Sequence, residues 1–144
     1  MTSFPALRTV VLDATDARAV AEFWRQLLGF DYRPGDEPPP AGQPDVAGRD
    51  WLVLRDRGGE TRMAVQHVDE LAASTWPDPR VPQQLHLDLT VADVHELAAQ
   101  RERALSLGAT LRLDRSDDPG EPLYVFADPA GHPFCIFVSP DSPR

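Results

Sequence analysis

The spacing of apolar positions along the chain changes repeatedly between the two-residue period of a strand and the roughly 3.6-residue period of a helix. From Leu7, LRTVVLDATDARAVAEFWRQLLGF opens with a β-branched run suited to a strand and changes period after Asp16. Val20, Phe23, Trp24, Leu27 and Leu28 then mark one face of a helix. Asp16 or Thr15 is placed to cap its start and Gly29 to end it. A short extended segment around Asp31 to Arg33 leads into PGDEPPPAGQPDVAGRD, whose prolines and glycines forbid regular structure over most of its length. WLVLRD (51 to 56) and TRMAVQHV (61 to 68) are predicted strands joined by Arg57, Gly58, Gly59 and Glu60, a hairpin signal.

A proline-broken connection, residues 69 to 83, precedes a second pass through the same order. The strand QLHLDLT (84 to 90) is followed by a helical stretch with Val94, Leu97, Ala98, Ala104 and Leu105 as its apolar set and Gly108 as its stop. Three strands follow, at 111 to 115, 123 to 128 and 133 to 139, the last two joined by DPAG. Each pass reads strand, helix, then three strands. VVLDATDA and LHLDLTVAD open the copies, and LLGF and SLGA close their helices, so an internal duplication accounts for the pattern. One domain over residues 1–144 is expected, with module one at 7–68, a linker at 69–83 and module two at 84–139.

Composition narrows the chemistry. Asp and Glu outnumber Lys and Arg by 23 to 14, and the net charge of −9 opposes the phosphate attraction that nucleic-acid binding needs. Every one of the 14 cations is an arginine, which closes Schiff-base chemistry by lysine. No segment approaches the ~20 consecutive apolar residues of a membrane helix, and MTSFPALRTVVLD lacks the form of a secretory signal. Cys135 has no second cysteine to pair with. A cytoplasmic protein without nucleic-acid or membrane partners is expected.

The markers VVLDATDARAVAEFWRQLLGF, RMAVQHV, WPDP with QQLHLDLTVADV after it, and FADPAGHPFCIF together resemble the vicinal oxygen chelate superfamily. That superfamily includes glyoxalase I, the extradiol dioxygenases and the fosfomycin- and bleomycin-resistance proteins, and the resemblance is to its glyoxalase-like branch of actinobacterial type. It implies an α+β fold in which two tandem βαβββ modules form a curved mixed sheet around a cleft. It also implies metal ligands, His or Glu, on the first and last strands of each module. Those positions fall here on Thr9, Gln66, His86 and Cys135, of which only His86 keeps the expected residue type. Thr9 and Gln66 carry no charge and a thiol prefers softer metals, so the usual ligand set is largely missing and no metal or other cofactor is expected. A Zn²⁺ site on His86 and Cys135 would need at least one more ligand. His67 is a poor one, because strand alternation turns it away from Gln66.

A histidine in a half-buried strand is most often structural, but the resemblance turns His86 toward the cleft. Asp88 shares its side of the strand, and such a pair can tune an imidazole for acid-base work. Asp88 also looks like the counterpart of Asp13, each just ahead of a helix, which favours capping. Cys135 sits in apolar FCIF and reads as buried filler unless His86 faces it. His95 and His132 read as solvated. Trp24 reads as core; Trp51 and Trp76, with Phe126 and Phe137, suit either a pocket for a flat organic molecule or ordinary packing.

The expectation is therefore a protein that binds a small organic molecule, as a metal-independent lyase or isomerase with His86 as acid-base and Gln66 and Thr9 holding a polar group. One alternative is a resistance-type binder that sequesters a drug or metabolite; another is a metal-dependent enzyme with atypical ligands. A homodimer is also expected from the resemblance.

Overall fold

The computed structural model describes residues 3–139, and the chain divides into two compact units between Leu71 and Ala72. The division falls inside the connection read as a linker, so residues 72 to 83 go with the second unit.

Unit one runs β1 (Val10–Ala14), α1 (Ala17–Leu28), β2 (Asp31–Tyr32), β3 (Trp51–Arg55) and β4 (Thr61–His67). Its sheet has the order β1-β4-β3-β2, with β1 parallel to β4 and the other pairs antiparallel. The Asp16 carboxylate accepts the Ala19 N–H at 3.0 Å to start α1, and Gly29, at φ 67°, closes it by donating its N–H to the Arg25 carbonyl. Val20, Phe23, Trp24 and Leu27 are buried on the face read from the sequence. Trp24 is core, its ring edge-on to Phe23 at 5.3 Å. Burial of such side chains contributes roughly 1.5–3 kcal/mol each. At the hairpin, Asp56 Oδ1 accepts the N–H groups of Gly58 and Glu60, and Gly59 takes φ 83°.

The proline-rich segment after β2 is held by side chains. Arg18 forks onto both Asp45 oxygens at 2.7 and 2.9 Å and donates to the Asp36 carbonyl at 2.6 Å. Its guanidinium lies over the Tyr32 ring. Asp36 is itself only 5% exposed and accepts from Arg33 and from the Val53 N–H.

Unit two contains β5 (Leu87–Val91), α2 (Val94–Ser106), β6 (Thr110–Arg115), β7 (Leu123–Ala127) and β8 (Pro133–Val138). Its order, β5-β8-β7-β6, and the parallel β5–β8 pair repeat unit one. The fold is thus α+β with a duplicated βαβββ module, as expected, each module contributing one four-stranded mixed sheet. Phe134, Ile136, Phe126 and Tyr124 pack in the core, with Leu97 and Ala104 of α2 also buried.

Three expectations are corrected. The opening strands begin at Val10 and Leu87, later than Leu7 and Gln84. For β5 the reason is visible in its partner: Leu87 pairs with Phe134, so the next step would place His86 opposite Pro133, which has no amide to donate. On α2, Val94 is exposed and so is Ala98. Val94 sits in the first turn, where side chains lean past the helix end, and Arg101 covers the Tyr124 ring on the packed face.

Candidate functional site

Three of the residues singled out from the sequence gather within unit two. Asp88 of β5 stands in register with Cys135 of β8, and His86 lies two residues before Asp88 on the same side of the chain. His86 Nε2 is 3.3 Å from Asp88 Oδ1, with the side chains 43% and 56% exposed. One donor atom from each of His86, Asp88 and Cys135 lies within 4.8 Å of the other two. His86 is thus neither in the strand nor half-buried, as the sequence suggested, but exposed just ahead of it.

Burial, and then the Asp88 carboxylate, push the Cys135 thiol up to about 11. At neutral pH Cys135 is a thiol, so the side chain is a poor nucleophile and a weak hydrogen-bond donor. Asp88 is no cap. The caps are Asp16 and Asp93, the latter accepting the Glu96 N–H at 2.9 Å.

Asp13 is not the counterpart of Asp88 either. Val10 to Ala14 pair with Met63 to His67, and Leu87 to Val91 pair with Phe134 to Val138. Matching the two ladders sets Val11 and Ala64 against Asp88 and Cys135, and Asp13 and Gln66 against Thr90 and Phe137. Thr9 corresponds to His86, each immediately ahead of its opening strand.

The other expected residues are placed as follows. Thr9, half-buried in unit one, donates its hydroxyl to the Val10 carbonyl at 3.2 Å. Gln66 is exposed on β4 between Asp13 and Trp51, its partners on either side, and Trp51 is half-buried beside it. His67 faces away from Gln66, as strand alternation requires. Phe137 is half-buried on the same side of β8 as Cys135. Phe126 is on the other side: Val125 is the residue in register with Cys135, and Phe126, 0% exposed, stacks on Phe134 at 5.3 Å. It is core and cannot touch a ligand on the Cys135 side. Trp76 is half-buried in a turn held by Thr75 and Ser74, whose hydroxyls bond around Val81.

Sequence reasoning missed the partner of His132. The imidazole Nδ1 is 2.7 Å from Asp128 Oδ2, and the Asp128 side chain is fully buried. Asp128 Oδ1 also accepts the N–H groups of Ala130 and His132. The signal was present as DPAGH, an Asp followed by a small-residue turn that its carboxylate can tie. His132 is therefore not solvated, whereas His95 is exposed as expected.

Fold and site define a two-module protein of the vicinal oxygen chelate type, with one nitrogen, oxygen and sulfur donor group on its second module. A glyoxalase-like domain model matches residues 9–137, and the chain belongs to that family. No curated protein sequence matches it. Among solved structures it is similar to a glyoxalase-related enzyme from Fulvimarina pelagi, at 21% identity over 97% of this chain and 92% of that one, with a TM-score of 0.65. A glyoxalase/bleomycin resistance protein/dioxygenase family enzyme from Burkholderia phytofirmans is 16% identical over 91% and 96% of the two chains, with a TM-score of 0.62. A mutant of the fosfomycin resistance protein FosX from Listeria monocytogenes, complexed with Mn(II) and 1S,2S-dihydroxypropylphosphonic acid, is 16% identical over 93% and 90%, with a TM-score of 0.63. These likenesses establish the fold. Among the described residues no helix is long and apolar enough to cross a membrane.

The donor set here differs from a hard-metal cage. Two of the four positions implied by the family, Thr9 and Gln66, offer only neutral oxygen or amide groups. In unit two, however, Asp88 supplies the third donor that His86 and Cys135 lacked in the sequence reading. The three fit a borderline-soft ion.

Proposed function

We propose that this chain binds a small organic molecule on the side of unit two that carries His86, Asp88, Cys135 and Phe137, and that His86 moves a proton on it in a lyase or isomerase reaction. The observation that carries the reading is the exposed imidazole held 3.3 Å from a carboxylate. Asp88 orients the ring, so the other nitrogen of the neutral imidazole takes a proton from the bound molecule and returns it. The Cys135 thiol, kept protonated by its surroundings, lends a weak hydrogen bond and an unreactive wall. Phe137 supplies apolar surface at the next inward position along β8. Binding without chemistry, as in a sequestering resistance protein, is the rival.

Native mass spectrometry of freshly purified, chelator-treated protein identifies the bound molecule, and NMR then follows its conversion. His86→Ala is expected to lower turnover by at least about a hundredfold, the usual contribution of a positioned acid-base group, while affinity changes only a few-fold. Phe137→Ala is expected to weaken affinity. Turnover that survives in His86→Ala rejects the proton-transfer role, and a bound molecule that is never converted gives the site to sequestration.

A further inference from the structure

The charges around the apolar residues on this side of unit two select the kind of molecule that binds there, an inference that rests on the reading above for the location of the site. The register lays out the floor: Cys135 stands beside Val125, and Phe137 beside Leu123. These four side chains share one side of β7 and β8 and offer no charge. Asp88 borders them on β5, its side chain 56% exposed.

Glu121 borders them at the end of β7. The chain still runs beside β8 there, because the Val138 N–H donates to the Pro122 carbonyl at 3.1 Å. Asp118 Oδ1 accepts the N–H groups of Gly120 and Glu121 at 2.9 and 3.1 Å, which pins the backbone from the other side. Two residues before Leu123, Glu121 falls on the side of Leu123 and Val125, with its Cα about 8 Å diagonally from that of Phe137, a span that a glutamate side chain covers. Glu121 is exposed, and its carboxylate makes no hydrogen bond or ion pair among the described residues. Its charge also reaches the Cys135 sulfur, acting after burial and Asp88 to raise that thiol.

We propose that the molecule bound here is an organic cation, a protonated amine on an apolar body, and that Glu121 is the residue that selects it. The amine end lies at Glu121, the body covers Phe137 and Leu123, and the far end comes to His86. The arginines of β6 do not offset the two carboxylates. Arg115, which the ladder aligns with Leu123, has its guanidinium engaged by Asp118 at 2.6 Å. Arg112 lies at the β6 bulge on the far edge strand, with β7 and β8 between it and Asp88. A carboxylate or phosphonate over Phe137 therefore meets repulsion from both sides, which rejects anions as firmly as it holds amines. At an exposed site each such charge contributes about threefold in affinity.

The test uses the full, chelator-treated chain and three probes of one shape and different charge: phenethylamine, phenethyl alcohol and hydrocinnamate. Affinities are read by NMR from the Phe137 ring and the Cys135 amide. The amine is expected to bind roughly tenfold more tightly than the alcohol, two charges at about threefold each, and hydrocinnamate more weakly than the alcohol. Glu121→Gln should cost the amine about threefold and leave the alcohol unchanged, and ionic strength of about 1 M, which shortens the Debye length to about 3 Å, should erase most of the amine's advantage. Glu121→Lys should bring hydrocinnamate above the amine. Circular dichroism identifies a variant that fails to fold, and the wild-type charge series then decides. Equal affinity for amine and alcohol, hydrocinnamate binding tightest to the wild type, or an undiminished amine advantage in Glu121→Gln overturns the selection by charge. Silence of the Phe137 ring toward all three probes overturns the location itself. Because the probes are read by affinity and His86 by turnover, charge selection and proton transfer can fail separately.

Discussion

Asp36→Ala is expected to cost about 2–3 kcal/mol of folding stability. The Asp36 side chain is 8% exposed, and its Oδ2 accepts the buried Val53 N–H at 2.9 Å. Removing the acceptor strands a backbone donor inside the protein, at a cost of about 1–3 kcal/mol. The ion pair with Arg33, 3.0 Å long, adds little, because the Arg33 side chain is 42% exposed and water screens it, so about 0.5 kcal/mol is assigned to it. Asp36→Asn keeps an oxygen for Val53 and loses mainly the charge, and should cost about 1 kcal/mol. Urea unfolding of the three proteins reads both effects as shifts in midpoint at unchanged slope. Equal costs for Asn and Ala, or a cost below about 1 kcal/mol for Ala, would refute the premise that the Val53 hydrogen bond is what Asp36 contributes. Arg18 bonds the Asp36 carbonyl at 2.6 Å, so the two residues touch and their variants should couple and not add simply.

Gly131→Ala should destabilise more than Gly35→Ala by about 1–3 kcal/mol in the same urea assay: both glycines have positive φ, 93° and 96°, but only at Gly131 would the new methyl meet Ala73 Cβ, at 2.5 Å; equal costs would sink the steric account. The Cys135 thiol, raised to about 11 from 9.0, keeps its proton in the folded chain while the unfolded chain loses it, so stability should fall as pH rises from 9 to 11. Alkylation by iodoacetamide at pH 8 should be slow and should speed up in Asp88→Asn, since the anion contributes to the shift. Arg18→Lys replaces a two-pronged contact with Asp45 by a point charge, so thermolysin should cut near the exposed Val46 several-fold faster; an unchanged rate would mean that the fork does not hold the segment.

Local order was the legible part. The α1 stripe, its Asp16 and Gly29 ends and the Asp56 to Glu60 hairpin depend on neighbours in sequence, and each formed where the pattern placed it. Facing was legible only within a strand. Phe126 and Phe137 looked alike, but the sequence does not say which residue of β7 stands beside Cys135; the structure makes it Val125, which turns Phe126 into the core. Asp13 and Asp88 looked equivalent for the same reason, since a shared LD motif fixes composition and not register. His132 was misread because its partner is made by a turn that folds back on itself, beyond the reach of any periodicity.

The register also explains why the donor side chains gather in one module. In both copies the opening strand lies parallel to the closing one, so a residue just before the first strand, its neighbour two along, and that neighbour's partner across the ladder share one side. Module two fills the three places with His86, Asp88 and Cys135, and module one fills them with Thr9, Val11 and Ala64. The backbone plan is thus present twice, and only side-chain identity decides whether it gathers donor atoms. A cluster assembled this way depends on strand pairing alone, which is why two apolar residues, Val11 and Ala64, suffice to leave module one without it.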